Sequence, residues 1–557
     1  MHTLFLRSSL GLLGLLASTS VALGGEEWTA YDGGTPHWFG YSVATADGWR
    51  LGGAPMENRA GAQAGAAYLL DTTIPGMVEK KFTPLVRTAG QRFGWAVDVS
   101  PNIMVIGAPG QGAMFGEAFV FERSGETWSQ TAILSGVPGY AGDGFGSAVA
   151  IDGDRILVGA PGDPRSGVQS GVVYSFRRGE VLWYLEDTLQ APHTNAGDQF
   201  GFALDADRGR VVVGAFSANI AVYNEGAAYV FEQTANGYQF TAELWAPAPR
   251  PDSMFARSVG ILGDRIAVGA TEDHWSDVRT GSVTLYALQA GTWQVEDVVH
   301  APDRALGNAF GYALALQPEG LIVGAPLATS AGVRSGAAYV FHPIGPRWGV
   351  TDTLQPSVTL AANDYVGVSV SIASDGAIVG AMRSCTKSYN AGAVHLFGAE
   401  DYDVPLVVEF CGCEDGGPCG TDPLPHGCEN STGVGAQLVA LGSTSVRADN
   451  LALQASGIPN RSQLLFLIGQ AGEPTPWYDG RWCLAPVNGS LGTLESTKAK
   501  KSGVVTTSRS LLRLGSRLGL DLLAGTTWSV QAIYYDSHGP CGTRYNATNA
   551  LMLTLVP

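Results

Sequence analysis

The chain has 557 residues, 45% of them apolar, and this length is enough for two or more domains with buried cores. Only 15% of the residues are charged and 75 are glycine, a composition typical of a turn-rich β protein rather than a helical one. The net charge of −17 argues against nucleic acid and anionic membrane surfaces as partners, because both are bound mainly through lysine and arginine patches.

The first 24 residues have the pattern of a secretory signal peptide. Arg7 precedes a short apolar core, and Ser20, Val21 and Ala22 form a cleavage candidate. That core is too short for a membrane anchor, and no later segment is long and apolar enough to span a bilayer. We therefore expect a mature chain that is secreted or held at the cell surface, with no integral membrane span.

A Phe-Gly pair, or a variant of it, recurs seven times between residues 26 and 400. Its second positions are Gly40, Gly94, Gly146, Gly201, Ala256, Gly311 and Gly367. A Gly-Ala pair closes each copy, and its glycine always lies thirteen residues further on, at Gly53, Gly107, Gly159, Gly214, Gly269, Gly324 and Gly380. The period of 52 to 56 residues indicates a repeat architecture.

Each copy contains four segments of strand length. The first begins at Phe-Gly, the second runs into Gly-Ala, the third follows another glycine, as in Gly226-Ala-Ala-Tyr-Val-Phe, and the fourth begins near a tryptophan such as Trp128. Tight turns such as residues 152–155 join the first two segments, which is a strong hairpin signal. We predict an all-β fold in which residues 26–400 form a seven-bladed β-propeller, with a linear β solenoid as the disfavoured alternative.

A propeller must close on itself. Residues 26–31 resemble a fourth strand with Trp28 in the tryptophan position, and the seventh copy has no tryptophan after Phe397. We expect this N-terminal strand to complete the last blade, and residues 404–410 are the alternative.

The repeated Phe-Gly, Gly-Ala-Pro and Gly-Ala-Ala-Tyr-Val-Phe motifs resemble the FG-GAP repeats of the integrin α-subunit propeller and its bacterial relatives. The resemblance implies a propeller fold and, by analogy, a role in binding or cell adhesion. Calcium-binding members carry an Asp-x-Asp-x-Asp-Gly loop between the first two strands. The corresponding connections here, such as Asp152–Asp154 and Asp375–Gly376, are too short for that loop. We therefore expect no cofactor, and calcium is the one alternative that the resemblance suggests.

The long connections, between second and third strands and between copies, should share one face of the propeller. Binding residues concentrate on such loops. We expect a protein or glycan ligand to be bound there, and the candidate ligand-binding residues are Tyr223, Asn224, Asp273, His274, Trp275, Arg334 and Tyr389. For any single one of them, an ordinary solvated loop residue is the competing interpretation.

Residues 401–557 differ in composition because they contain six of the seven cysteines. Alternating apolar segments, such as residues 464–468 and 528–535, predict a small β-sandwich-like domain. The spacing fits no paired Cys-x-x-Cys zinc site, so export favours disulfides among Cys411, Cys413, Cys419, Cys428, Cys483 and Cys541. Six cysteines allow fifteen pairings, which the sequence does not resolve. Cys385 stands apart, and we expect an unpaired or inter-domain cysteine there rather than a reactive thiol.

The segments from Cys419 to Gly433 and from Asp536 to Asn549 resemble a C-terminal module of exported proteins from planctomycete-type bacteria. That resemblance implies display or sorting at the cell exterior and no activity.

The sequence contains none of the familiar catalytic motifs: no His-Glu-x-x-His site, no Gly-x-Ser-x-Gly elbow and no phosphate-binding loop. We therefore predict a secreted or cell-surface, non-enzymatic binding or adhesion protein. The alternatives are an exported hydrolase or lyase that acts on polysaccharide and a structural surface-layer protein. A cluster of carboxylates and histidines in the central funnel would favour the enzyme.

Overall fold

The computed structural model describes residues 25–554 with gaps. The larger gaps are residues 73–77, 399–405, 412–429, 442–450, 487–490 and 539–543. The shorter ones are residues 47, 60, 113, 138, 194, 236, 276–277, 303–304, 319, 330–332, 345–346, 355, 357, 359, 432–434, 478–479, 500–502, 519, 521 and 523–525. The predicted signal peptide lies outside the described residues, and so do Cys413, Cys419, Cys428 and Cys541. Cys411 lies in a described strand, but its side chain is outside the described part.

Between residues 26 and 398 the described residues form seven four-stranded antiparallel sheets, numbered here in chain order. Sheet 1 contains Ser42–Ala46, Trp49–Ala54, Ala66–Asp71 and Val78–Phe82; sheet 2 contains Ala96–Val99, Ile103–Ala108, Glu117–Ser124 and Thr127–Leu134. Sheet 3 contains Ala148–Asp152, Arg155–Ala160, Val172–Arg178 and Trp183–Leu189; sheet 4 contains Ala203–Asp207, Arg210–Ala215, Ala227–Thr234 and Gly237–Leu244. Sheet 5 contains Phe255–Leu262, Arg265–Ala270, Ser282–Gln289 and Thr292–Val299; sheet 6 contains Ala313–Gln317, Gly320–Ala325, Ala337–Ile344 and Arg347–Leu354. Sheet 7 contains Val366–Ala373, Gly376–Ala381, Ala393–Gly398 and the N-terminal strand Glu26–Trp28. The prediction of an all-β chain with repeated four-stranded units is confirmed.

The sheets follow from the sequence pattern of each copy. The second strand is almost continuously apolar and is buried along its whole length, as in Arg155–Ala160. The fourth strand alternates, and the strand Thr127–Leu134 exposes every second residue while Leu134 is buried. A strand buried on both faces lies between neighbouring sheets, and an alternating strand lies at the periphery. Cores between successive sheets therefore stabilise the ring.

The glycine at each closing position has a steric cause. A Cβ atom added to Gly159 would lie 2.1 Å from the carbonyl oxygen of Gly201, which is the opening glycine of the next sheet. The same relation links the last sheet to the first, because a Cβ at Gly380 would lie 2.0 Å from the Gly40 oxygen. Only glycine allows backbones to approach so closely. Each closing glycine is therefore the contact point between consecutive sheets, and the series returns to its start.

The N-terminal strand closes the ring, as expected. Glu26–Trp28 pairs antiparallel with Ala393–Gly398 in sheet 7, with Trp28 opposite Val394. Trp28 is 7% exposed and packs edge-to-face on Phe39, with ring centroids 4.8 Å apart. The chain thus joins its first and last copies in one sheet.

The described part of residues 406–554 forms two further sheets. One has the strand order Leu406–Cys411, Tyr545–Thr554, Thr527–Tyr535, Gln463–Trp477 and Gly480–Ala485, with Gly492–Lys498 also paired to Gln463–Trp477. The other contains Gln437–Leu441, Ala452–Ser456 and Val505–Thr506. Both sheets contribute to one apolar core, which includes Leu438, Leu453, Phe466, Val530 and Leu553.

A short helix, Leu511–Arg517, packs onto this core and was not predicted. Ser510 caps it, since the Ser510 side chain accepts a hydrogen bond from the Arg513 N–H, and Leu511 and Leu514 are buried. The serine and the three-residue leucine spacing were the signals available in the sequence. No helix in the described part of the chain is long and apolar enough to cross a membrane.

Candidate binding face and central channel

The connections between second and third strands lie at the end of the ring where each first strand begins. The Phe93 N–H donates to the Ala64 carbonyl at 3.0 Å, and the Phe200 N–H donates to the Ser170 carbonyl at 3.0 Å. Ala64 and Ser170 end the second-to-third connections of the preceding sheets. These loops and the opening pairs therefore share one face, which we call the long-loop face.

The structure places the predicted ligand-binding residues on this face but does not bring them together. Tyr223 and Asn224 lie in the loop of sheet 4, residues 273–275 in that of sheet 5, Arg334 in that of sheet 6 and Tyr389 in that of sheet 7. Tyr223 is 67% exposed and Tyr389 is 71% exposed, so both are available to a partner. They are single exposed residues rather than parts of one pocket.

Asn224 and Arg334 occupy a recurrent structural position. Both have left-handed backbone conformations, with φ of 50° and 55°, and Gln169 and Asn390 have the same conformation at the equivalent place. The Asn224 amide also donates to Asp252 Oδ1 at 3.1 Å, which links its loop to the following sheet junction. These contacts explain Asn224 as a residue that shapes the loop.

Asp273 holds a small hairpin at the loop of sheet 5. His274–Trp275 pairs with Val278–Arg279. The Asp273 carboxylate accepts hydrogen bonds from the Ser282 hydroxyl at 2.7 Å and from the His274 N–H at 2.8 Å. Its oxygens are therefore engaged within the loop, and the Trp275 side chain lies outside the described residues.

A cavity of about 700 Å³ occupies the centre of the ring, and first strands of all seven sheets line it. Most of its lining residues are apolar, such as Val43, Leu204 and Leu314, although polar atoms contribute the larger part of the lining surface. Two carboxylates, those of Asp98 and Asp205, interrupt this wall. We call this cavity the central channel.

Each channel carboxylate links its sheet to the next. The Ile151 N–H donates to Asp98 Oδ2 at 2.7 Å, and the Ile261 N–H donates to Asp205 Oδ2 at 2.8 Å. Burial raises the pKa of Asp98 to about 6. Burial likewise raises the pKa of Asp205 to about 7, and the charge of Asp98 contributes to this shift. A proton can therefore be held in the channel near neutral pH.

Aromatic side chains gather at the long-loop end of the first strands, beyond the residues that line the channel. They directly flank the opening pairs and come from five sheets: Trp38, Tyr41, Trp95, Phe202, Tyr312 and Tyr365. Tyr41 stacks on Trp38 at 6.1 Å and tilts against Trp95 at 4.6 Å between ring centroids. Burial chiefly raises the pKa of Tyr41, and Tyr312, which lies two sheets away around the ring, raises it further, so these rings lie close together.

Three arginines accompany these rings. The Arg257 guanidinium lies 4.5 Å from the Phe202 ring centroid and 4.3 Å from that of Tyr312. Arg92 lies 5.3 Å from the Trp95 centroid, and Arg383 lies 4.9 Å from that of Tyr365. The six aromatic residues and Arg92, Arg257 and Arg383 are called the channel-mouth cluster below.

No carboxylate of the described residues pairs with these three arginines. Among the described residues, none of the three takes part in an ion pair within 4.0 Å. The Nε atoms of Arg92 and Arg383 are buried there without a hydrogen-bond partner. Sequence reasoning did not bring these residues together, although in six of the seven copies they stand directly before or after the opening pair or just beyond the closing pair.

The short connections between first and second strands lie on the opposite face. They contain two residues in six sheets and three in sheet 2, which leaves no room for an Asp-x-Asp-x-Asp-Gly loop. Their carboxylates instead tie neighbouring sheets together: Gly209 N–H donates to Asp152 at 2.6 Å, and Gly48 N–H donates to Asp375 at 2.7 Å. Within the described residues no group of three or more metal-ligating side chains occurs.

Of the cysteines proposed to form disulfides, only Cys483 has a described side chain. It is fully buried, and its N–H donates to Gln531 Oε1 at 3.2 Å. The pairings lie outside the described residues and stay a prediction. Cys385 is exposed and free, which agrees with an unpaired cysteine.

The repeated sheets, the glycine contacts and the face that they create define an all-β repeat protein. Five segments match the FG-GAP repeat family: residues 77–121, 128–176, 183–231, 293–341 and 348–397. These matches confirm the predicted FG-GAP repeats. The copy that opens with Phe255-Ala256 lacks the second glycine and lies outside the matched segments.

Among solved structures, one similar chain is the β-propeller domain of the Trilobed protease from Pyrococcus furiosus, described as having an open velcro topology. The two chains are 8% identical, with a TM-score of 0.36, and the match covers 61% of this chain and 90% of that one. No curated protein matches this chain.

Proposed function

We propose that this chain is a secreted or cell-surface binding protein, without enzymatic activity, that recognises an extracellular protein or glycan through its long-loop face. In this proposal the seven sheets are the blades of a seven-bladed propeller over residues 26–400, similar to the integrin α-subunit propeller. Residues 1–24 act as a signal peptide. Residues 401–557 form a disulfide-containing domain that attaches or sorts the protein, like the modules of planctomycete-type exported proteins.

The channel-mouth cluster is the observation that carries this proposal. It collects half-buried aromatic rings and arginines from different sheets at the centre of the long-loop face. Aromatic residues and arginine are the residue types that contribute most to binding energy at protein interfaces. Tyr223 and Tyr389 add exposed aromatic side chains further out on the same face. A rigid ring holds all of them in fixed positions.

An exported hydrolase or lyase acting on polysaccharide is the second candidate, and Asp98 and Asp205 favour it. Two carboxylates of raised pKa in one cavity are a common arrangement for acid–base catalysis. Both, however, accept backbone hydrogen bonds with both oxygens. These hydrogen bonds give both carboxylates a structural role, so the binding function is better supported than the enzymatic one.

An array of glycans and extracellular proteins, probed with the mature chain with and without a chelator, tests the proposal. We expect binding to one ligand class that the chelator does not reduce, because the connections between first and second strands are too short for calcium loops. Loss of binding on chelation would mean that a metal site contributes. Binding to nothing would move support to the structural surface-layer role, and turnover of an arrayed polysaccharide would support the enzyme.

A further inference from the structure

We propose that the channel-mouth cluster binds an acidic glycan, and that a carboxylate or sulfate of the sugar is held by Arg92, Arg257 and Arg383. This inference rests on the proposed function and names the ligand class of the same face. It starts from an imbalance of charge. The whole chain carries a net charge of −17, yet three guanidinium groups lie on the aromatic rings of this cluster, and among the described residues none of them has a carboxylate within ion-pair distance.

An anion corrects that imbalance. A half-buried guanidinium has lost part of its hydration, and this loss is costly unless an anion or hydrogen-bond acceptor replaces the water. The planar fork of arginine matches carboxylate and sulfate oxygens, and such charge-assisted hydrogen bonds are the strong ones. Among the described residues no carboxylate lies within 4.0 Å of Arg92, Arg257 or Arg383, so a bound anion can supply the missing partner.

The aromatic rings select a sugar over other anions. Sugar rings present C–H faces that pack on aromatic side chains, so the faces of Trp38 and Trp95 that Tyr41 and Arg92 do not cover can hold the sugar ring while the arginines hold its charge. A cationic ligand is disfavoured, because Arg257 already lies on the faces of Phe202 and Tyr312. An acidic peptide would satisfy the charges but would use the aromatic faces less fully.

The channel below the cluster fixes how far the anion enters. Asp98 and Asp205 line the interior, and their carboxylates would repel a second negative charge. The opening is therefore cationic and the interior acidic. This polarity holds the acidic group at the opening, which suits the anionic end residue of a glycan chain.

Calorimetry with oligouronate tests this assignment, with a neutral oligosaccharide of equal length, a sulfated oligosaccharide and an acidic peptide as comparisons. We expect the mature chain to bind the oligouronate, more weakly as salt rises, and Arg257→Gln to weaken binding about tenfold or more, as expected for loss of a charged hydrogen bond. Arg208→Gln is the matched control. Arg208 is 83% exposed in a turn on the opposite face, and its substitution should change the affinity less than twofold.

The midpoint of thermal unfolding is measured first, to show that each variant folds. If Arg257→Gln does not fold, the affinity of Arg92→Gln for the oligouronate is measured in its place. Equal affinity for neutral and acidic sugars, or equal losses in Arg208→Gln and the cluster variants, would overturn the assignment. Preference for the acidic peptide would also overturn it. If the chain bound a protein of the array and no acidic sugar, the acidic-glycan assignment would be refuted, whereas the proposed binding function would stand. If the chain bound none of these ligands, both the proposed binding function and the acidic-glycan assignment would be refuted.

Discussion

Buried polar side chains recur at one position of every repeat. Each opening pair begins with a phenylalanine or, in the last copy, a valine. The residue two places before it is polar and buried in all seven copies: His37, Gln91, Asp143, Asp198, Ser253, Asn308 and Asp364. Several of them cap the preceding turn, since Asp143 accepts from the Tyr140 N–H at 3.1 Å and Asp364 from the Ala361 N–H at 2.6 Å. Burial raises the pKa of Asp143, Asp198 and Asp364. Ionisable groups are thus built into the repeat, and they make stability depend on pH.

His395, which lies at a different position of the repeat, shows such a pH dependence most clearly. It is 1% exposed, neither ring nitrogen has a partner among the described residues, and burial lowers its pKa to about 4. The unfolded chain therefore binds a proton on this residue more readily, so stability falls as pH falls from about 6.5 towards 4. The loss amounts to roughly 3 kcal/mol when complete. His395→Phe should remove it, and Phe119 shows that sheet 2 accommodates phenylalanine at the equivalent position.

Urea unfolding at pH 7.5 and pH 5 measures this effect. We expect the wild-type chain to lose more free energy of unfolding at pH 5 than His395→Phe does. His193→Gln, which changes an exposed histidine, should behave like the wild type. Identical losses in the wild type and His395→Phe would contradict the account of His395.

Asp205 should act in the opposite direction. Its folded pKa of about 7 lies above the usual value for aspartate, so the folded state holds the proton more tightly and stability falls as pH rises from about 4 to 7. Asp205→Asn keeps an acceptor for the Ile261 N–H but carries no charge. We expect this variant to gain roughly 1–3 kcal/mol over the wild type on going from pH 5 to pH 8.

Denaturant unfolding at these two pH values tests the prediction, with Glu180→Gln as the control because Glu180 is an exposed carboxylate. A gain that is the same at both pH values would mean that the carboxylate of Asp205 is not the cause. Together, the two predictions distinguish the loss of stability on acidification, which we assign to His395, from the loss as pH rises towards 7, which we assign to Asp205.

At the scale of the elements, the N-terminal strand determines whether the ring is closed. Trp28 contributes to a core with Tyr68, Leu70 and Val394, which come from sheets 1 and 7. Trp28→Ala should lower the free energy of unfolding by about 3–5 kcal/mol, as is usual for a buried tryptophan. Trp245→Ala is the control, because Trp245 is 52% exposed and should cost less than about 1 kcal/mol. Equal effects of the two substitutions would show that the strand does not hold the ring together.

The closing glycines make a second prediction about elements. Gly159→Ala would place a methyl group against the Gly201 carbonyl, and we expect a loss of at least about 2 kcal/mol from this overlap. Gly153→Ala lies in a turn at φ of +60° with no atom within 4 Å of an added Cβ, and it should cost only about 1 kcal/mol. Thermal unfolding distinguishes the two, and a larger loss for Gly153→Ala would contradict a close contact between sheets.

For the whole molecule, the sequence predicts the repeated sheets and the closing strand, because both are set by local patterns. Glycine spacing, two-residue turns and Trp28 each mark a strand or its end. The helix Leu511–Arg517 shows the limit, since its seven residues carry only a weak periodic signal.

The channel-mouth cluster could not be predicted in the same way. Its members come from six of the seven copies of the repeat, and they come together only because the ring brings the opening pairs to one axis. The location of Tyr223 and Tyr389 on exposed loops, by contrast, could be predicted, because long loops are visible in a sequence. Loop length is thus readable from the chain, whereas convergence at the axis requires the closed ring.

Hydrogen–deuterium exchange of the mature chain, with and without the ligand that the array detects, tests the central claim most directly. We predict slower exchange in the presence of ligand at the second-to-third connections and around the opening pairs, near residues 38–41, 92–95, 254–257 and 309–312. The turns of the opposite face, such as residues 152–155 and 207–210, should exchange at an unchanged rate. Protection confined to those turns, or to residues 406–554, would contradict binding through the long-loop face.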